Sequence, residues 1–197
     1  MSVEGFTIVR RRKGEDFVHT LIFRSAFSLR LSVWIFQGEV MIIDLDAHQG
    51  NGHEKDFAND GRVYILDMYN AGIYPFDHAA KRYIDQKIEL ISGTETDDYL
   101  DQLDKALKVA QTRFQAQLII YNAGTDILDG DPLGNLKISP EGVVIRDEKV
   151  FRFAKDQNIP LVMMTSGGYM KSSARVIADS VTNLSQKDLI QLGSQPE

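Results

Sequence analysis

The sequence of 197 residues predicts an α/β domain of three layers, in which a mostly parallel sheet is covered by helices on both faces. Three observations support this prediction. Strand-like and helix-like segments alternate along most of the chain, which is typical of parallel sheets. Several apolar runs end in polar or glycine-rich segments, as buried strands do where they leave a sheet. The composition, 43% hydrophobic and 25% charged, is that of a globular domain with a sizeable core.

The first half of the predicted sheet follows directly from apolar runs and turn residues. Val40-Met41-Ile42-Ile43 is an apolar run that predicts a buried strand. A short helix is predicted over residues 53–58 and a second strand over residues 63–68. Asp77 is suited to cap a helix over residues 78–86, and residues 87–91 predict another short strand.

The second half contains the clearest helices. One is predicted over residues 94–115, because Leu100, Leu103 and Leu107 recur at helical spacing on one face. A strand over residues 117–121 follows. Ser139 is a good cap for the next helix, which has Pro140 at its first position and runs to about residue 156. A strand over 160–165 and a helix over 171–183 complete the series, and the tail after residue 185 is predicted to fray.

Charge and composition exclude several classes of function. The net charge of −6 and the pI near 5.2 argue against direct binding of nucleic acid, which requires a basic surface. An acidic surface is compatible with a basic partner such as a lysine-rich tail. The sequence has no cysteine, which excludes disulfides and thiolate zinc sites. No apolar run approaches the roughly 18 residues of a membrane span.

Asp44, Asp46 and His48 follow the first strand at a spacing of two residues. Side chains two apart on an extended backbone point to the same face, so these three are predicted to lie side by side. A cation is the natural way to tolerate neighbouring buried carboxylates. Each side chain alone is as well explained as a cap on the following turn, but Asp126 at a second strand exit favours a metal site. These residue types do not distinguish zinc from ferrous iron.

Three motifs lie at predicted carboxyl ends of strands, where parallel sheets bind their ligands. They are Asp-Leu-Asp-Ala-His-Gln-Gly-Asn-Gly at 44–52, Asn-Ala-Gly-Thr-Asp at 122–126 and Thr-Ser-Gly-Gly-Tyr at 165–169. Together they resemble the motifs of the zinc-dependent histone deacetylases, most closely those of the class IV type. The resemblance covers about residues 38–184, the carboxyl-terminal portion of the catalytic domain. It implies an arginase/deacetylase-like fold that is incomplete in this chain.

The resemblance also implies a role for each of the matching residues. Asp46, His48 and Asp126 would bind zinc, with a fourth position left open as in catalytic sites. Asp44, Asp67 and Met68 would contribute to a site for a monovalent cation such as potassium. Asp44 and Asn51 would orient a pair of histidines, and the Tyr169 hydroxyl would act in catalysis on the acyl carbonyl. The expected walls of the acyl-lysine tunnel are Leu133, Gly167 and Gly168.

The expected reaction is hydrolysis of an acyl-lysine amide, with long-chain acyl groups included. The paired histidines that such enzymes carry upstream of the zinc strand have no match here, because the only histidines are His19, His48, His53 and His78. His48 is assigned to the metal, His53 is expected to face away from the site and His78 to lie on a helix surface. The chain is therefore predicted to be a truncated enzyme with weak or no activity.

Two alternatives remain open. One is a non-catalytic fragment of a deacetylase that binds a metal or a partner, and the other is an arginase-like hydrolase acting on polyamines or other small amides. The Gly-Gly-Tyr motif favours the deacylases. The expected partners are acyl-lysine proteins such as histone tails, together with co-repressor or deacetylase partners, and the expected compartments are the nucleus, the cytoplasm or both.

The chain is divided into three regions on this basis. Residues 1–37 are an atypical, basic segment without a family match, in which residues 5–10 and 17–23 predict the strands of a hairpin. Residues 38–184 form the deacetylase-like portion. Residues 185–197 form the tail.

Overall fold

The computed structural model describes residues 7–9 and 38–191. Within these residues, six strands form one sheet. The strands are β1 (Thr7–Val9), β2 (Val40–Asp44), β3 (Val63–Asn70), β4 (Gln86–Leu90), β5 (Leu118–Gly124) and β6 (Leu161–Ser166). The helices are α1 (Asn51–Asp56), α2 (Thr96–Arg113), α3 (Pro140–Asp156) and α4 (Ser173–Gln186), with a 3₁₀ turn at Ala80–Tyr83.

The order of strands in the sheet is β1-β6-β5-β2-β3-β4. All neighbouring pairs are parallel except β1 with β6, where Thr7 lies opposite Met164 in an antiparallel pair. The predicted mostly parallel sheet is confirmed. The hairpin predicted near the amino terminus falls largely outside the described residues, apart from the strand at Thr7–Val9.

The two faces of the sheet are covered to different extents. Alternate residues of the strands, such as Met41, Ile43 and Leu66, pack with α2, α3 and α4 in the larger hydrophobic cluster. The other face forms a smaller cluster in which Val40 and Ile42 pack with Phe57, just after α1. Helical layers on both faces are confirmed, and most of the core lies on the side of the long helices.

The predicted helix over residues 78–86 is wrong. Asp77 does cap a turn, since its Oδ1 accepts a hydrogen bond from Ala80 N at 3.1 Å, but the turn is 3₁₀ and ends at Tyr83. Ile84 is extended, and β4 begins at Gln86, opposite Leu66 of β3. Pairing with the edge of the sheet therefore takes residues that an isolated helix would have used.

The segment that follows residue 185 is better packed than expected over the residues that the structure describes. The prediction that it frays after residue 185 is wrong as far as Ile190, because α4 reaches Gln186 and the side chains of Leu189 and Ile190 are buried. In the part of the chain that the structure describes, no helix combines the length and apolar character needed to cross a membrane.

The strand register brings polar residues to one level at the carboxyl edge of the sheet. Asp44, the last residue of β2, lies opposite Asp67 on β3 and opposite Asn122 on β5. The chain leaves β2 and β5 at this edge and enters the segments that carry Asp46, His48 and Asp126. The fold therefore gathers the three sequence motifs at one end of the sheet.

Candidate metal centre

Asp46, His48 and Asp126 come together beyond the ends of β2 and β5. Each offers one ligand atom, and these atoms all lie within 4.8 Å of one another. His48 Nδ1 lies 2.8 Å from Asp126 Oδ2 and 3.1 Å from Asp46 Oδ1. Asp126 is buried, whereas Asp46 and His48 are half-buried, so the group is reachable from solvent. Two carboxylates and one imidazole form a donor set that suits zinc and leaves room for a further ligand.

The same carboxylates also shape the backbone that carries them. Asp44 Oδ1 accepts a hydrogen bond from Asp46 N at 3.0 Å, and Asp46 Oδ1 accepts one from His48 N at 2.9 Å. A carboxylate that accepts a hydrogen bond from the backbone amide two residues later bends the chain, here directly after the strand. Asp126 Oδ1 accepts from Ala47 N at 2.9 Å and so links the two strand ends. The carboxylates of Asp46 and Asp126 therefore bind backbone amides and also belong to the candidate metal cluster.

The cluster has the electrostatics of a site that is short of positive charge. Hydrogen bonds to Asp126 and Asp46 raise the pKa of His48 to about 10. Burial raises the pKa of Asp126 to about 6, against the opposing hydrogen bond with His48. Burial would also raise the pKa of Asp46, but hydrogen bonds from His48 lower it overall. An imidazolium proton therefore balances the carboxylates, and a metal ion would take its place.

Glycines allow the backbone to lie against these ligands. A Cβ on Gly167 would lie 2.3 Å from Asp126 Oδ2 and 2.6 Å from Asp46 Oδ2. A Cβ on Gly124 would lie 2.5 Å from the Cα of Asp46. No side chain fits at either position without displacing a carboxylate or the strand end, so both glycines are required by close approach.

Tyr169 lies on the open side of the cluster. Its ring meets the His48 ring edge-on, with centroids 6.4 Å apart, and the residue is 55% exposed. Gly168 before it has φ +139°, a conformation that a glycine adopts without strain. Asp131 Oδ2 accepts a hydrogen bond from Tyr169 N at 2.8 Å, and Asp131 Oδ1 accepts from Leu133 N at 3.0 Å. Asp131 thus ties Tyr169 to the loop that presents the 46% exposed Leu133.

A second cluster of possible metal ligands lies deeper, at the end of β2. The ligand atoms of Asp44, Asp67 and His53 lie within 4.8 Å of one another. Burial, together with the charge of Asp46, raises the pKa of Asp44, and burial with the charge of Asp44 raises that of Asp67. Asp67 Oδ2 accepts from Gly50 N at 2.9 Å. Met68 is fully buried in the larger hydrophobic cluster, on the opposite face of β3 from Asp67.

Two predictions about this region are wrong. Asp44 does not join Asp46 and His48 in one row, because β2 ends at Asp44 and the following residues bend. His53 was expected to face away from the site, but its side chain is only 12% exposed and its Nε2 lies 3.6 Å from Asp44 Oδ2. Helix α1 begins at Asn51 and not at residue 53, which turns His53 towards the sheet.

The remaining site residues occupy defined positions at the same edge. Asn51 Nδ2 donates to Asp77 Oδ2 at 3.1 Å, so within the described residues it faces the loop after β3. His78 is exposed, as expected, although on a turn and not on a helix. His19 lies outside the described residues.

Sequence reasoning missed several side chains that hold the site together. Ser166 Oγ donates to Asp46 Oδ2 at 2.9 Å, and Asn122 Nδ2 donates to Asp44 Oδ1 at 2.9 Å. Both belong to motifs that carry the resemblance, which was the available signal. Asp131 had no such signal, because an aspartate in a Gly-Asp-Pro turn is ordinary loop chemistry.

Comparison with known proteins agrees with this geometry. A family model described as "Histone deacetylase domain" matches residues 31–185. Histone deacetylase 2 of Arabidopsis thaliana is 72% identical over 158 residues, which are 80% of this chain and 40% of that protein. The chain thus spans well under half the length of this relative.

Solved structures show the same fold. An HDAC homolog from Aquifex aeolicus has a TM-score of 0.69 at 18% identity, covering 85% of this chain and 47% of its own. The HD domain of HDA15 has a TM-score of 0.69 at 20% identity, covering 89% of this chain and 53% of its own. With the family model matching more than half of its residues, the chain belongs to the histone deacetylase domain family.

Proposed function

We propose that this chain is the metal-binding, carboxyl-terminal portion of a zinc-dependent lysine deacetylase of the class IV type. The observation that carries the proposal is the meeting of Asp46, His48 and Asp126 within 4.8 Å, at the carboxyl ends of neighbouring parallel strands. The class IV assignment rests on the amino-acid sequences of the motifs at residues 44–52 and 165–169. Acyl-lysine amides, with acetyl and long-chain acyl groups, are the proposed substrates.

Zinc is the proposed ion of the solvent-reachable cluster, held by Asp46, His48 and Asp126. Two observations support the fit: the donor atoms already converge, and Gly167 leaves the space beside both carboxylates free of a side chain. Zinc at such a site supplies Lewis-acid polarisation of a carbonyl and lowers the pKa of water. The carboxylates must be ionised and the imidazole neutral to bind it, so His48 gives up its proton on binding.

The other residues orient the substrate and stabilise charge. The Tyr169 hydroxyl is proposed to donate a hydrogen bond to the acyl oxygen as negative charge develops there. The Asp131 carboxylate accepts hydrogen bonds from Tyr169 N at 2.8 Å and from Leu133 N at 3.0 Å. These bonds fix the tyrosine relative to the loop that carries Leu133. Leu133, Gly167 and Gly168 are proposed as walls for the acyl-lysine chain.

Proton transfer is the weak point of the chemistry in this chain. Of the four histidines, His48 belongs to the candidate metal cluster, His53 faces Asp44, His78 is exposed and His19 lies outside the described residues. General acid–base catalysis typically contributes about 10²–10⁴-fold. We therefore expect this chain alone to turn over weakly or not at all. Asp44 and Asn51, the residues proposed to orient paired histidines, contact Asn122 and Asp77 in this chain.

The deeper cluster is the proposed site of a monovalent cation such as potassium. Asp44 and Asp67 would supply carboxylate oxygens, and Met68 could contribute only its backbone carbonyl because its side chain is buried on the other face. A cation there would offset both the burial and the neighbouring carboxylate charge that raise the pKa of Asp44 and of Asp67.

Proteins with acylated lysines, such as histone tails, are the proposed partners, and co-repressor or deacetylase proteins are further candidates. The net charge of −6 favours a basic tail over nucleic acid. The proposed compartments are the nucleus, the cytoplasm or both.

A second candidate function is that of a metal-binding fragment without turnover. The placement of His53 favours it, because this histidine belongs to the deeper cluster with Asp44 and Asp67 and not to the group formed by Asp46, His48 and Asp126. In that case the chain would bind zinc and a family partner or an acyl-lysine without hydrolysing the amide.

A deacylation assay separates the two candidates. The purified chain is given zinc and acetyl- or myristoyl-lysine peptides, beside the variants Tyr169→Phe and Asp126→Ala. Tyr83→Phe and Asp98→Ala, on the 3₁₀ turn and on α2, are the matched controls. Turnover lost in both site variants and kept in both controls supports the enzyme. Stoichiometric zinc that only Asp126→Ala loses, without turnover, supports the fragment. A wild-type chain that binds no zinc contradicts both candidates.

A further inference from the structure

Arg146 of α3 is a cation buried in the core, with 1% of its surface exposed. A buried charge is costly unless it is paired and hydrogen-bonded. Its neighbour Asp147 supplies the pairing: Arg146 Nε donates to Asp147 Oδ1 at 2.9 Å, and Arg146 Nη2 lies 2.8 Å from the same oxygen. The guanidinium therefore has a fixed partner on one edge.

Asp147 is itself held from two directions. Its Oδ1 accepts a hydrogen bond from the Tyr121 hydroxyl of β5, and its Oδ2 accepts one from the Ser180 hydroxyl of α4, both at 2.5 Å. The ring of Tyr121 lies 5.8 Å from the guanidinium carbon. Sheet and helices thus fix the orientation of Arg146, because its counter-ion cannot rotate freely.

The other edge of the guanidinium reaches the ends of the two central strands. Arg146 Nη1 donates to Gly124 O at 2.5 Å and lies 3.4 Å from Leu45 O. Leu45 immediately precedes Asp46, and Gly124 stands two residues before Asp126. Leu45 N donates to Asn122 O at 3.0 Å, so the guanidinium lies just beyond the paired part of the strands.

The segments that Arg146 bridges have little freedom to move without changing the metal centre. Gly124 is packed so tightly on Asp46 that a Cβ would lie 2.5 Å from its Cα. Ligand positions in functional sites must hold to within about 0.5 Å. A small separation of the two strand ends would therefore spread the carboxylates of Asp46 and Asp126.

We propose that Arg146 is a positioning residue of the metal centre, which sets the spacing of the Asp46 and Asp126 strand ends through the carbonyls of Leu45 and Gly124. This inference rests on the proposed metal-binding function. Lysine cannot replace the guanidinium, because one ammonium group cannot both pair with Asp147 on one side and reach the carbonyls of Leu45 and Gly124 on the other.

Cobalt titration of the full chain, followed by the d–d absorption of the bound ion, measures this role without requiring turnover. Arg146→Lys is expected to weaken cobalt binding about 10–100-fold, as loss of partners behind metal ligands does, and to change the spectrum. Arg152→Lys is the matched control, since Arg152 pairs with Glu148 on the exposed side of the same helix. Ser180→Ala removes one of the two hydroxyls that hold Asp147, and it is expected to weaken cobalt binding less than Arg146→Lys does, because the Tyr121 hydroxyl still holds Asp147.

The outcomes separate this inference from the proposed function. If the wild-type chain binds no cobalt, the metal centre is refuted and the inference fails with it. If the wild type binds and Arg146→Lys binds equally well with the same spectrum, only the inference is overturned. Should Arg146→Lys not fold, the neutral pair Arg146→Gln with Asp147→Asn is titrated in its place. This double variant buries no unpaired charge. If it binds cobalt as tightly as the wild type does, the inference is also overturned.

Discussion

Gly167 lies directly against the carboxylate of Asp126, so that a Cβ on this glycine would come within 2.3 Å of Asp126 Oδ2. The same Cβ would lie 2.6 Å from Asp46 Oδ2. The substitution Gly167→Ala must therefore displace both proposed ligands at once. We expect zinc affinity to fall about tenfold or more, since metal sites tolerate little displacement of their ligands.

Gly52→Ala is the control for this substitution. A Cβ at Gly52 would meet nothing within 4 Å, and the residue lies inside helix α1, where alanine is favoured over glycine by about 0.5–1 kcal/mol. Competition with a chromophoric chelator measures zinc affinity in both variants. Equal affinities for Gly167→Ala and the wild type would show that the carboxylates are not the ligands.

Zinc binding is expected to strengthen with pH because protons compete for the ligands. In the metal-free chain, hydrogen bonds to Asp126 and Asp46 hold the pKa of His48 at about 10. At any pH between 7 and 9, zinc binding must therefore displace one proton from His48. The zinc affinity should rise about tenfold per pH unit over this range. Below the pKa of about 6 to which burial raises Asp126, a second proton competes and the dependence becomes steeper.

Calorimetry in buffers of different ionisation enthalpy counts the protons released. About one proton per zinc at pH 7.5 is the expected result. In His48→Asn, whatever zinc binding remains should release close to none at this pH. If both proteins release the same number of protons when zinc binds, the displaced proton does not come from His48.

The sequence predicts most of the fold and the members of the candidate metal cluster, for a physical reason. Apolar runs indicate which segments are strands, and parallel strands bring their carboxyl ends to one edge, so Asp46 and Asp126 were expected at the same edge; that β2 and β5 are neighbours there comes from the structure. What the pattern could not provide is the exact end of each element. A shift of two residues in the start of α1 reversed the expected direction of His53.

Buried polar contacts are the other part that the sequence does not reveal. Arginine is rarely found fully buried in a helix, and nothing in the sequence pattern distinguishes Arg146, which is fully buried here. Only the tertiary arrangement of α3 over β5 brings it to the Gly124 carbonyl. Asp131 likewise becomes significant only when the chain folds Tyr169 onto it.

His53 is expected to make the metal-free chain sensitive to acid. Burial lowers the pKa of His53 to about 4 from an ordinary value of 6.5, so the folded chain keeps it neutral while the unfolded chain takes up a proton. The stabilising contribution is present above pH 6.5 and is lost as the pH falls towards 4. For one proton the loss is about 1.4 kcal/mol per pH unit.

Urea unfolding at a series of pH values, in the presence of a chelator, measures this loss. Between pH 6.5 and 5 the free energy of unfolding should fall less steeply in His53→Asn than in the wild type. His78→Asn, at an exposed histidine, should retain the wild-type slope. Parallel curves for His53→Asn and the wild type would exclude His53 as a source of acid sensitivity.

Ser139 caps helix α3, and its removal should lower stability without changing metal binding. Its side chain accepts a hydrogen bond from Gly142 N at 3.0 Å, which satisfies one of the free amides of the first turn. Ser139→Ala is expected to cost about 1 kcal/mol of unfolding free energy. Ser172 stands at the same position before α4 but makes no side-chain cap, so Ser172→Ala should be close to neutral. Chemical denaturation measures the stability of both variants, and cobalt titration measures their metal binding. Weaker cobalt binding in Ser139→Ala would contradict the prediction and would mean that destabilising α3 is enough to disturb the candidate metal centre.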